Sequence, residues 1–533
     1  MAFAAKDEAF LHAKNVPRIL LAANLALAIF YFIVITFFFE RGNLVLFWLL
    51  IAGEAFHVWQ AATFIVTVWE VGYKAPRDDS FAPPVDVFIP VAGEPADIIE
   101  ATVRGAQRMD YPNFKIFILN DGYVAKKPNW QEVETLAERL GVNYITRRVP
   151  GGAKAGNINH AFLLTSSPFI AFFDADHVPE PEFLKETIPY FKDRLLGFVQ
   201  TPQYYKNNSK NFLAGGAWEQ QALFFGPICR GKNRFNAVTM CGTNMVIRRT
   251  ALEEVDGMDE SSIAEDFITG YKMHERGWKS LYVPKILARG LAPEDFLGYY
   301  KQQARWARGS LDLLFRENLL FSPRLTAAQR IQYLSSVSYF LSGWVVLIDA
   351  IIPLAFFYLG IFPIHTSTMM LAMVFIPYML MMLYVIQRSS NSSFSYRALA
   401  FSVSSFPIHI TASLSSLLRI RSSFSITPKR AQAGNFLSMV WLQIFYVPLV
   451  VFGAAYALVA AGWIITPAWI ANVDWGIINA AVFIAFIKAA APQGEHGEPS
   501  ARDEFVPSNA PPALAYEKSP ETGAATRPIS ENR

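Results

Sequence analysis

Cysteine and charge are both scarce in this sequence. The chain has two cysteines, Cys229 and Cys241, among 533 residues, which excludes a disulfide framework and is typical of a reducing compartment. Charged residues make up 17% of the chain and the net charge is +3, so the sequence predicts no nucleic-acid partner. Hydrophobic residues make up 53%, and the mean hydropathy is +0.24. This composition excludes an ordinary soluble protein and predicts a chain with both soluble and membrane-embedded parts.

Long apolar runs predict six membrane spans. They are 19–39, 44–69, 337–362, 369–386, 436–465 and a weaker one at 475–487. The first carries no charged residue over its whole length, and that length is enough to cross a bilayer. No small-residue cleavage site follows it, so we interpret it as a membrane helix rather than a signal peptide. The Ser-rich, basic stretch 389–435 is predicted to lie at the cytoplasmic interface of the membrane.

Basic residues flank the first two spans. They are Lys6, Lys14 and Arg18 before the first span and Lys74 and Arg77 after the second. Cytoplasmic loops of membrane proteins carry an excess of such residues, so the N-terminus and everything after residue 69 are predicted to be cytoplasmic. Six spans then place both termini in the cytoplasm.

The hydrophobic pattern divides the chain into four regions. They are a membrane region with two helices at 1–75, a cytoplasmic domain at 79–318, a region of interface helices, four membrane helices and a loop at 319–490, and a tail at 491–533. The tail is rich in Pro, Ala and Glu and is predicted to be disordered. In 79–318, short apolar runs such as VDVFIPV, KIFILND, FIAFFDAD and LGFVQTP alternate with helical patterns. This alternation predicts an α/β domain with a mostly parallel sheet.

Two carboxylates follow one of these apolar runs directly. In FFDADHVPEPEF, Asp174 and Asp176 stand two residues apart, so in extended backbone their side chains point to the same side. Like charges that close repel unless a cation or a proton lies between them. Hard cations such as Mg²⁺ or Mn²⁺ prefer oxygen ligands and are often shared with substrate phosphates. A solvated turn is the alternative interpretation.

Three further motifs carry polar residues of interest. GGAKAGNINHA surrounds Lys154 with small residues, which suits close approach to a phosphate, although the P-loop pattern GxxxxGK[ST] is absent. AEDFITGYKMHERGW places Asp266 at a predicted helix start. KQQARWARGS carries Gln302, Arg305 and Trp306. Taken singly, each has an ordinary explanation: a surface cation, an N-cap and an interface anchor.

Their order along the chain is that of a known family. The motifs NDG, KAGNxN, DxD, ED and QxxRW, together with FSITPK at 424–429, occur in that order between membrane spans. They resemble those of the processive family 2 glycosyltransferases, and the strongest likeness is to bacterial cellulose synthase catalytic subunits. The resemblance covers about residues 83–429 and implies a GT-A-like nucleotide-sugar domain inserted between α-helical transmembrane segments.

The resemblance also implies a role for each motif residue. Asp266 would be the general base, and Asp174 and Asp176 would hold Mg²⁺ or Mn²⁺ at the donor diphosphate. The implied donor-binding residues are Asp121, Glu94, Lys154, Asp174, Asp176, Gln302 and Arg305; the acceptor-binding residues are Trp306 and Cys241; the gating-loop residues are Phe424, Thr427 and Lys429.

The function implied is processive, inverting polymerisation of glucose from UDP-glucose into a cellulose-like β-glucan, exported through the chain's own membrane channel. The expected partners are a UDP-sugar, the growing polysaccharide, the lipid bilayer and accessory export subunits, and the expected location is the bacterial inner membrane. Other β-linked polymers, including 1,3- or mixed-linkage glucans and N-acetylglucosamine polymers, remain alternatives. So do a glycolipid-forming transferase and a transporter with a degenerate domain. QxxRW and FSITPK speak against the first, and the intact Asp174, Asp176, Asp266 and Trp306 speak against the second.

The sequence departs from the family pattern at several points. The first acid of the family's DDG motif is Asn120, the aromatic residue of PTYNE is replaced by Ala92, and the threonine of TED is Ala264. These changes leave the sugar and the linkage open. The tail has no RxxxR motif followed by a β-rich domain, so a PilZ domain that would bind cyclic-di-GMP is not expected.

Ionisable residues also occur inside predicted spans. Glu54 and His57 lie on one helix face, and Asp349 lies in a later span. Such groups are costly against lipid, so we expect them to line a polysaccharide channel or to pair with each other inside the bundle.

Overall fold

A computed structural model describes residues 9–12, 15–72, 74–317, 319–420 and 434–492. The α-helices are α1 (Arg18–Phe37), α2 (Leu44–Val68), α3 (Ala96–Gln107), α4 (Glu132–Leu140), α5 (Ala153–Leu164), α6 (Phe183–Thr187), α7 (Phe212–Leu223), α8 (Cys229–Lys232), α9 (Arg249–Glu253), α10 (Glu265–Glu275), α11 (Phe296–Arg316), α12 (Ala327–Ser338), α13 (Ser342–Leu359), α14 (Thr368–Ser389), α15 (Tyr396–Ser404), α16 (Phe406–Leu417), α17 (Trp441–Ala460) and α18 (Pro467–Ala490). Short 3-10 or π turns occur at Ala9–His12, Ile188–Lys192, Phe224–Ile228, Asn233–Phe235, Tyr339–Leu341 and Leu437–Val440.

The strands are β1 (Glu40–Arg41), β2 (Val85–Val91), β3 (Phe114–Asn120), β4 (Asn143–Thr146), β5 (Phe169–Phe172), β6 (Val178–Pro179), β7 (Leu196–Gln200), β8 (Tyr204–Tyr205), β9 (Met245–Arg248), β10 (Lys279–Tyr282), β11 (Ala288–Gly290) and β12 (Ile364–His365). The four apolar runs that predict strands are β2, β3, β5 and β7, so those predictions are confirmed.

A seven-stranded sheet forms the centre of the domain between the membrane helices. Its order is β10-β7-β9-β5-β2-β3-β4. Only β9 runs antiparallel to its neighbours, β5 and β7, while the other pairings are parallel. All seven residues of β2 are buried, as expected for a strand covered on both faces. The predicted mostly parallel α/β fold is confirmed.

Parallel pairing brings the ends of three strands to one edge of the sheet. Val91 of β2 pairs with Asn120 of β3, and Phe88 of β2 pairs with Phe172 of β5. The residues that follow β3 and β5 therefore emerge side by side at the carboxyl ends, where open α/β sheets bind ligands.

Seven described helices are long and apolar enough to cross a membrane. They are Arg18–Phe37, Leu44–Val68, Ala327–Leu359, Thr368–Ser389, Tyr396–Leu417, Leu437–Ala460 and Pro467–Ala490. Six correspond to the predicted spans, and Tyr396–Leu417 lies within the stretch that the sequence assigned to the interface. By length and composition, the candidate spans therefore number seven, one more than the sequence predicts. Tyr396–Leu417 is the least apolar of the seven, with a hydropathy of 1.2 that its serines lower.

A hydrophobic cluster joins the domain to the helices that follow it. It contains Tyr271 of α10, Leu311 of α11, Tyr333 of α12 and Ala412 of α16. The helix that begins at Glu265 thus packs directly against helices that belong to, or lead into, candidate spans.

The ionisable residues of the first spans are paired inside the bundle. The Tyr31 hydroxyl donates to Glu54 Oε1 at 2.8 Å, and His57 Nδ1 lies 3.5 Å from Glu54 Oε2. Of the two expectations for these groups, the structure favours pairing for Glu54 and His57.

Candidate active site

A cavity of about 320 Å³ opens at the carboxyl ends of β2, β3 and β5, a size typical of small-ligand sites. Every predicted site residue in the described part of the chain lines it: Glu94, Asp121, Lys154, Asp174, Asp176, Cys241, Asp266, Gln302, Arg305 and Trp306. The three predicted gating-loop residues, Phe424, Thr427 and Lys429, lie outside the described residues.

The two acids after β5 are held on a fixed loop. The Asp174 backbone N–H donates to Thr243 Oγ1 at 2.8 Å, and Thr102 Oγ1 donates to the Ala175 carbonyl at 2.7 Å. One ligand atom from each of Asp174, Asp176 and His177 lies within 4.8 Å of the others. Two carboxylates and an imidazole are a donor set that suits Mn²⁺, and the carboxylates also suit Mg²⁺. Sequence reasoning did not select His177, although it follows DAD directly.

Lys154 connects the acidic loop with the opposite wall of the cavity. Its Nζ lies 2.5 Å from Asp174 Oδ1 and donates to the Gly242 carbonyl at 2.8 Å. Burial lowers the pKa of Lys154, but the carboxylates of Asp174, Glu265 and Asp266 outweigh it, so the net pKa is raised. Lys154 therefore keeps its charge beside the acids.

Gly242 permits this close approach. Its φ is +75°, a conformation that favours glycine. A Cβ at this position would also lie 2.7 Å from Asp266 Oδ2. A side chain here would displace the carboxylate of Asp266.

Asp266 stands in the first turn of α10. Its Oδ1 accepts a hydrogen bond from the Phe267 backbone N–H at 2.8 Å. Burial and the neighbouring Glu265 raise the pKa of Asp266 to about 7, while Lys154 and Arg305 act in the opposite direction. A carboxylate with this pKa is a far better proton acceptor than an ordinary aspartate and is still largely ionised just above neutral pH.

Helix α11 presents Gln302, Arg305 and Trp306 on one face, because residues three and four apart lie above one another on a helix. Asp295 caps the helix by accepting from the Gly298 N–H at 2.8 Å. Gln302 Nε2 donates to the Tyr205 hydroxyl at 3.3 Å, and its Oε1 is buried without a hydrogen-bond partner among the described residues.

Glycine brings α11 against the start of α10. A methyl group at Gly309 would overlap the side chain of Ala264, the residue that precedes α10. This close contact places the general-base candidate beside Arg305 and Trp306.

Asp121 is held by an arginine that sequence reasoning missed. Arg147 Nε and Nη2 donate to the two carboxylate oxygens of Asp121 at 2.6 and 2.8 Å, and both residues are buried. Arg147 Nη1 also donates to the Gly151 carbonyl at 2.6 Å. The sequence feature that could have indicated this role is the pair Arg147–Arg148, which stands just before GGAKAGN.

Asn120, the departure from the family's DDG motif, closes the turn that carries Asp121. Its Nδ2 donates to the Trp130 carbonyl at 2.7 Å, and its Oδ1 accepts from the Gly122 N–H at 2.8 Å. An ionised aspartate could accept but not donate here, so the amide suits this turn.

Glu94 and Cys241 complete the predicted set. Glu94 Oε2 accepts from the Ala92 N–H at 2.6 Å. The Cys241 backbone is fixed by Gln200 and Gln203, and burial raises the pKa of its thiol. The structure shows that all these residues line one cavity; the role of each residue stays a prediction.

Two family models match the chain in overlapping regions. The model described as Glycosyltransferase like family 2 matches residues 83–309, and the model described as Cellulose synthase matches residues 254–489. Residues 83–309 are therefore similar to family 2 glycosyltransferases. Residues 254–489 are similar to cellulose synthases, as the motif order predicts.

Curated relatives carry the same description. The cellulose synthase catalytic subunits (UDP-forming) of Xanthomonas axonopodis and Pseudomonas fluorescens are 35% and 34% identical over 52% and 56% of this chain. Cellulose synthase 1 of Komagataeibacter xylinus is 35% identical over 57% of the chain. The aligned part spans 39%, 40% and 20% of the lengths of these relatives. The seven apolar helices and the similarity to cellulose synthases together identify the chain as a multi-pass membrane protein.

A solved structure, that of a Pyrobaculum calidifontis mannosyltransferase in complex with GDP-Man and Mn²⁺, is 15% identical and covers 70% of this chain and all of its own. The TM-score of 0.46 is below 0.5, so this match supports no inference about the chain.

Proposed function

We propose that this chain is a processive, inverting glycosyltransferase that transfers glucose from UDP-glucose to a growing β-glucan and exports the product between its own membrane helices. One observation carries the proposal: ten predicted site residues from separate motifs line one cavity. The similarity to UDP-forming cellulose synthases supports UDP-glucose as the donor.

In the proposed transfer, Asp266 acts as the general base. Its carboxylate accepts the proton of the acceptor hydroxyl as that oxygen attacks the anomeric carbon of the donor. The new carbon–oxygen bond forms as the bond to the diphosphate oxygen breaks, and its electron pair leaves with UDP. Attack from the face opposite the leaving group inverts the configuration, so an α-linked donor gives a β-linked product.

The acidic loop is the proposed metal site. Asp174 and Asp176 would hold Mg²⁺ or Mn²⁺, and the ligand atoms of both residues and His177 are close enough to share one ion. When bound, the ion would neutralise charge that develops on the leaving diphosphate. Lys154 and Arg305 contribute positive charge from the chain itself.

The remaining residues position the two substrates. Asp121, held by Arg147, is proposed to contact the uridine, and Glu94 lies beside it in the cavity wall. Trp306 would stack on the terminal acceptor sugar, with Cys241 on the same side, while Gln302 and Arg305 hold the donor.

We further propose that the catalytic domain and both termini face the cytoplasm of a bacterial inner membrane, with accessory export subunits as partners. This orientation requires Tyr396–Leu417 to lie at the membrane interface rather than to cross. Two features support that position: the segment is divided into α15 and α16, and 56% of its most apolar window is buried within the protein, more than in any other candidate span.

Donor-specific incorporation tests the proposal. Membranes that contain this chain should form polymer from labelled UDP-glucose but not from UDP-N-acetylglucosamine, and the product should yield to a 1,4-specific glucanase. EDTA should stop synthesis and Mg²⁺ or Mn²⁺ should restore it. Incorporation of N-acetylglucosamine alone, or a product cut only by a 1,3-specific enzyme, would favour the alternative polymers. A labelled lipid in place of polymer would contradict processive synthesis.

A further inference from the structure

Tyr333 contacts one face of the helix that carries Asp266. It lies on α12 and is fully buried. Its ring makes edge-on contacts with Phe267, Tyr271 and His274, at centroid distances of 5.7, 5.5 and 5.7 Å. These three positions follow the i, i+4, i+7 spacing of a single helix face. One aromatic side chain therefore holds α10 along most of its length.

A hydrogen bond fixes the far end of α10 in addition. The Tyr333 hydroxyl lies 2.7 Å from His274 Nδ1, and His274 Nε2 lies 2.8 Å from Ser280 Oγ. Burial and the charge of Lys232 lower the pKa of His274 to about 3, so the imidazole is neutral at physiological pH. Both ring nitrogens are used, and loss of either partner leaves a buried nitrogen unsatisfied.

Helix α12 is itself fastened to the second membrane helix. Gln332 Nε2 donates to Thr67 Oγ1 at 2.9 Å, Ser335 Oγ donates to Thr63 Oγ1 at 3.0 Å, and Trp59 Nε1 donates to Ser338 Oγ at 3.0 Å. Thr67, Thr63 and Trp59 all belong to α2. Tyr333 thus projects from an element that is anchored to a candidate span.

The start of α10 depends on such external support. Ala264 at its N-cap position has only a methyl group, which cannot accept a hydrogen bond from the first turn as Ser, Thr, Asp or Asn would. Asp266 lies in that turn, so its place in the cavity is set by what packs against the helix.

We propose that Tyr333 is a positioning residue for glycosyl transfer: it holds α10 against the membrane-anchored helix α12 and so fixes where Asp266 stands in the cavity. The inference rests on the proposed role of Asp266 as general base. It adds a link from α2 through α12 to the reacting group, which the motifs that predict the site do not contain.

Tyr333→Phe tests the proposal in the full chain, because phenylalanine keeps the ring contacts and removes the hydroxyl. Turnover per folded molecule should fall about fivefold or more, since small displacements of a reacting group have large effects on rate. The KM for UDP-glucose and the affinity for UDP should change by less than about twofold. Without the bond to His274, α10 can shift as a unit against α12. A shift that admits water to Asp266 weakens the effect of burial on its pKa, so the acid limb of kcat should move below its wild-type midpoint.

Tyr271→Phe is the matched control. Tyr271 lies on α10 and is buried like Tyr333, but its hydroxyl donates to Glu275 of α10 itself, at 2.9 Å. This variant should leave turnover and the acid limb unchanged. Ser280→Ala, which frees the other nitrogen of His274, should lower kcat in the same direction as Tyr333→Phe and leave UDP affinity intact. It also serves as the test if Tyr333→Phe does not accumulate as folded protein.

Unchanged kcat and an unmoved acid limb in a folded Tyr333→Phe or Ser280→Ala protein would overturn the inference. An equal loss in Tyr271→Phe would do the same, because the effect would then come from loss of any buried tyrosine hydroxyl beside α10, whichever partner it binds. A different result would contradict the proposed function itself: an Asp266→Asn variant that retains its activity. If Asp266→Asn is inactive while Tyr333→Phe is fully active, only the positioning role is wrong.

Discussion

At the scale of single residues, the properties of Asp266 come from neighbours that are distant in sequence. Lys154 and Arg305 supply positive charge, and Gly242 leaves room for the carboxylate. The two residues adjacent in sequence act in opposite directions: the charge of Glu265 disfavours the ionised form of Asp266, and the Phe267 backbone N–H favours it. Burial and this like charge together move the carboxyl group into the range where a general base works near neutral pH.

Turnover should therefore show an acid limb with a midpoint near the Asp266 pKa of about 7. The base acts only when deprotonated, so kcat should rise as the pH increases through this value. Glu265→Gln removes a negative charge that raises the pKa, so its limb should move to lower pH. Measurement of kcat from pH 5 to 9 checks both statements. A wild-type limb near the ordinary aspartate value of about 4, or a limb that Glu265→Gln does not move, would contradict this account.

The sequence predicts which acids and motifs matter, but not how their charges are balanced. Asp174 and Asp176 follow an apolar strand, so their convergence could be predicted from strand geometry. The pairing of Asp121 with Arg147 joins residues 26 positions apart, and the contact of Tyr333 with His274 joins residues 59 apart. Such contacts depend on how elements pack. The pair Arg147–Arg148 marks a candidate cation in the sequence but does not identify its partner.

At the scale of elements, the site is the meeting of two helices at the end of a sheet. Short apolar runs predict β2, β3, β5 and β7, because strands of a parallel sheet that are buried on both faces form continuous hydrophobic runs. Hydropathy does not select Tyr396–Leu417 as a span, because its serines make it the least apolar of the seven candidates, although much of the segment is buried. The approach of α10 to α11 was also invisible, because it depends on one glycine, Gly309.

Gly309→Ala should separate these two helices. The added methyl group overlaps Ala264, so α10 must shift, at a cost of about 1–3 kcal/mol in the free energy of unfolding. Turnover should fall at least about tenfold because Asp266 shifts with the helix. Gly298→Ala on the same helix is the control, since its Cβ would meet no atom closer than 3.5 Å. Steady-state kinetics and thermal unfolding of both variants provide the comparison, and equal activity of the two would contradict the close-packing argument.

At the scale of the whole molecule, an α/β domain that is similar to family 2 glycosyltransferases packs against helices long and apolar enough to cross a membrane. The cluster that contains Tyr271, Leu311, Tyr333 and Ala412 is shared by both parts, so α10 and these helices form one packed unit. This arrangement suits an enzyme that would pass its product directly from the acceptor site into the membrane. It also means that the chemistry should be tested in the intact chain.

The most direct test of the central claim compares turnover with UDP binding in Asp266→Asn. Asparagine keeps the size of the side chain and cannot take the acceptor proton. Polymer formation should fall by about 10² to 10⁴-fold, while the dissociation constant for UDP, measured by calorimetry, should stay within about twofold of wild type. That result would place Asp266 in the transfer step. Retained turnover, or a loss of UDP affinity as large as the loss of turnover, would contradict the account.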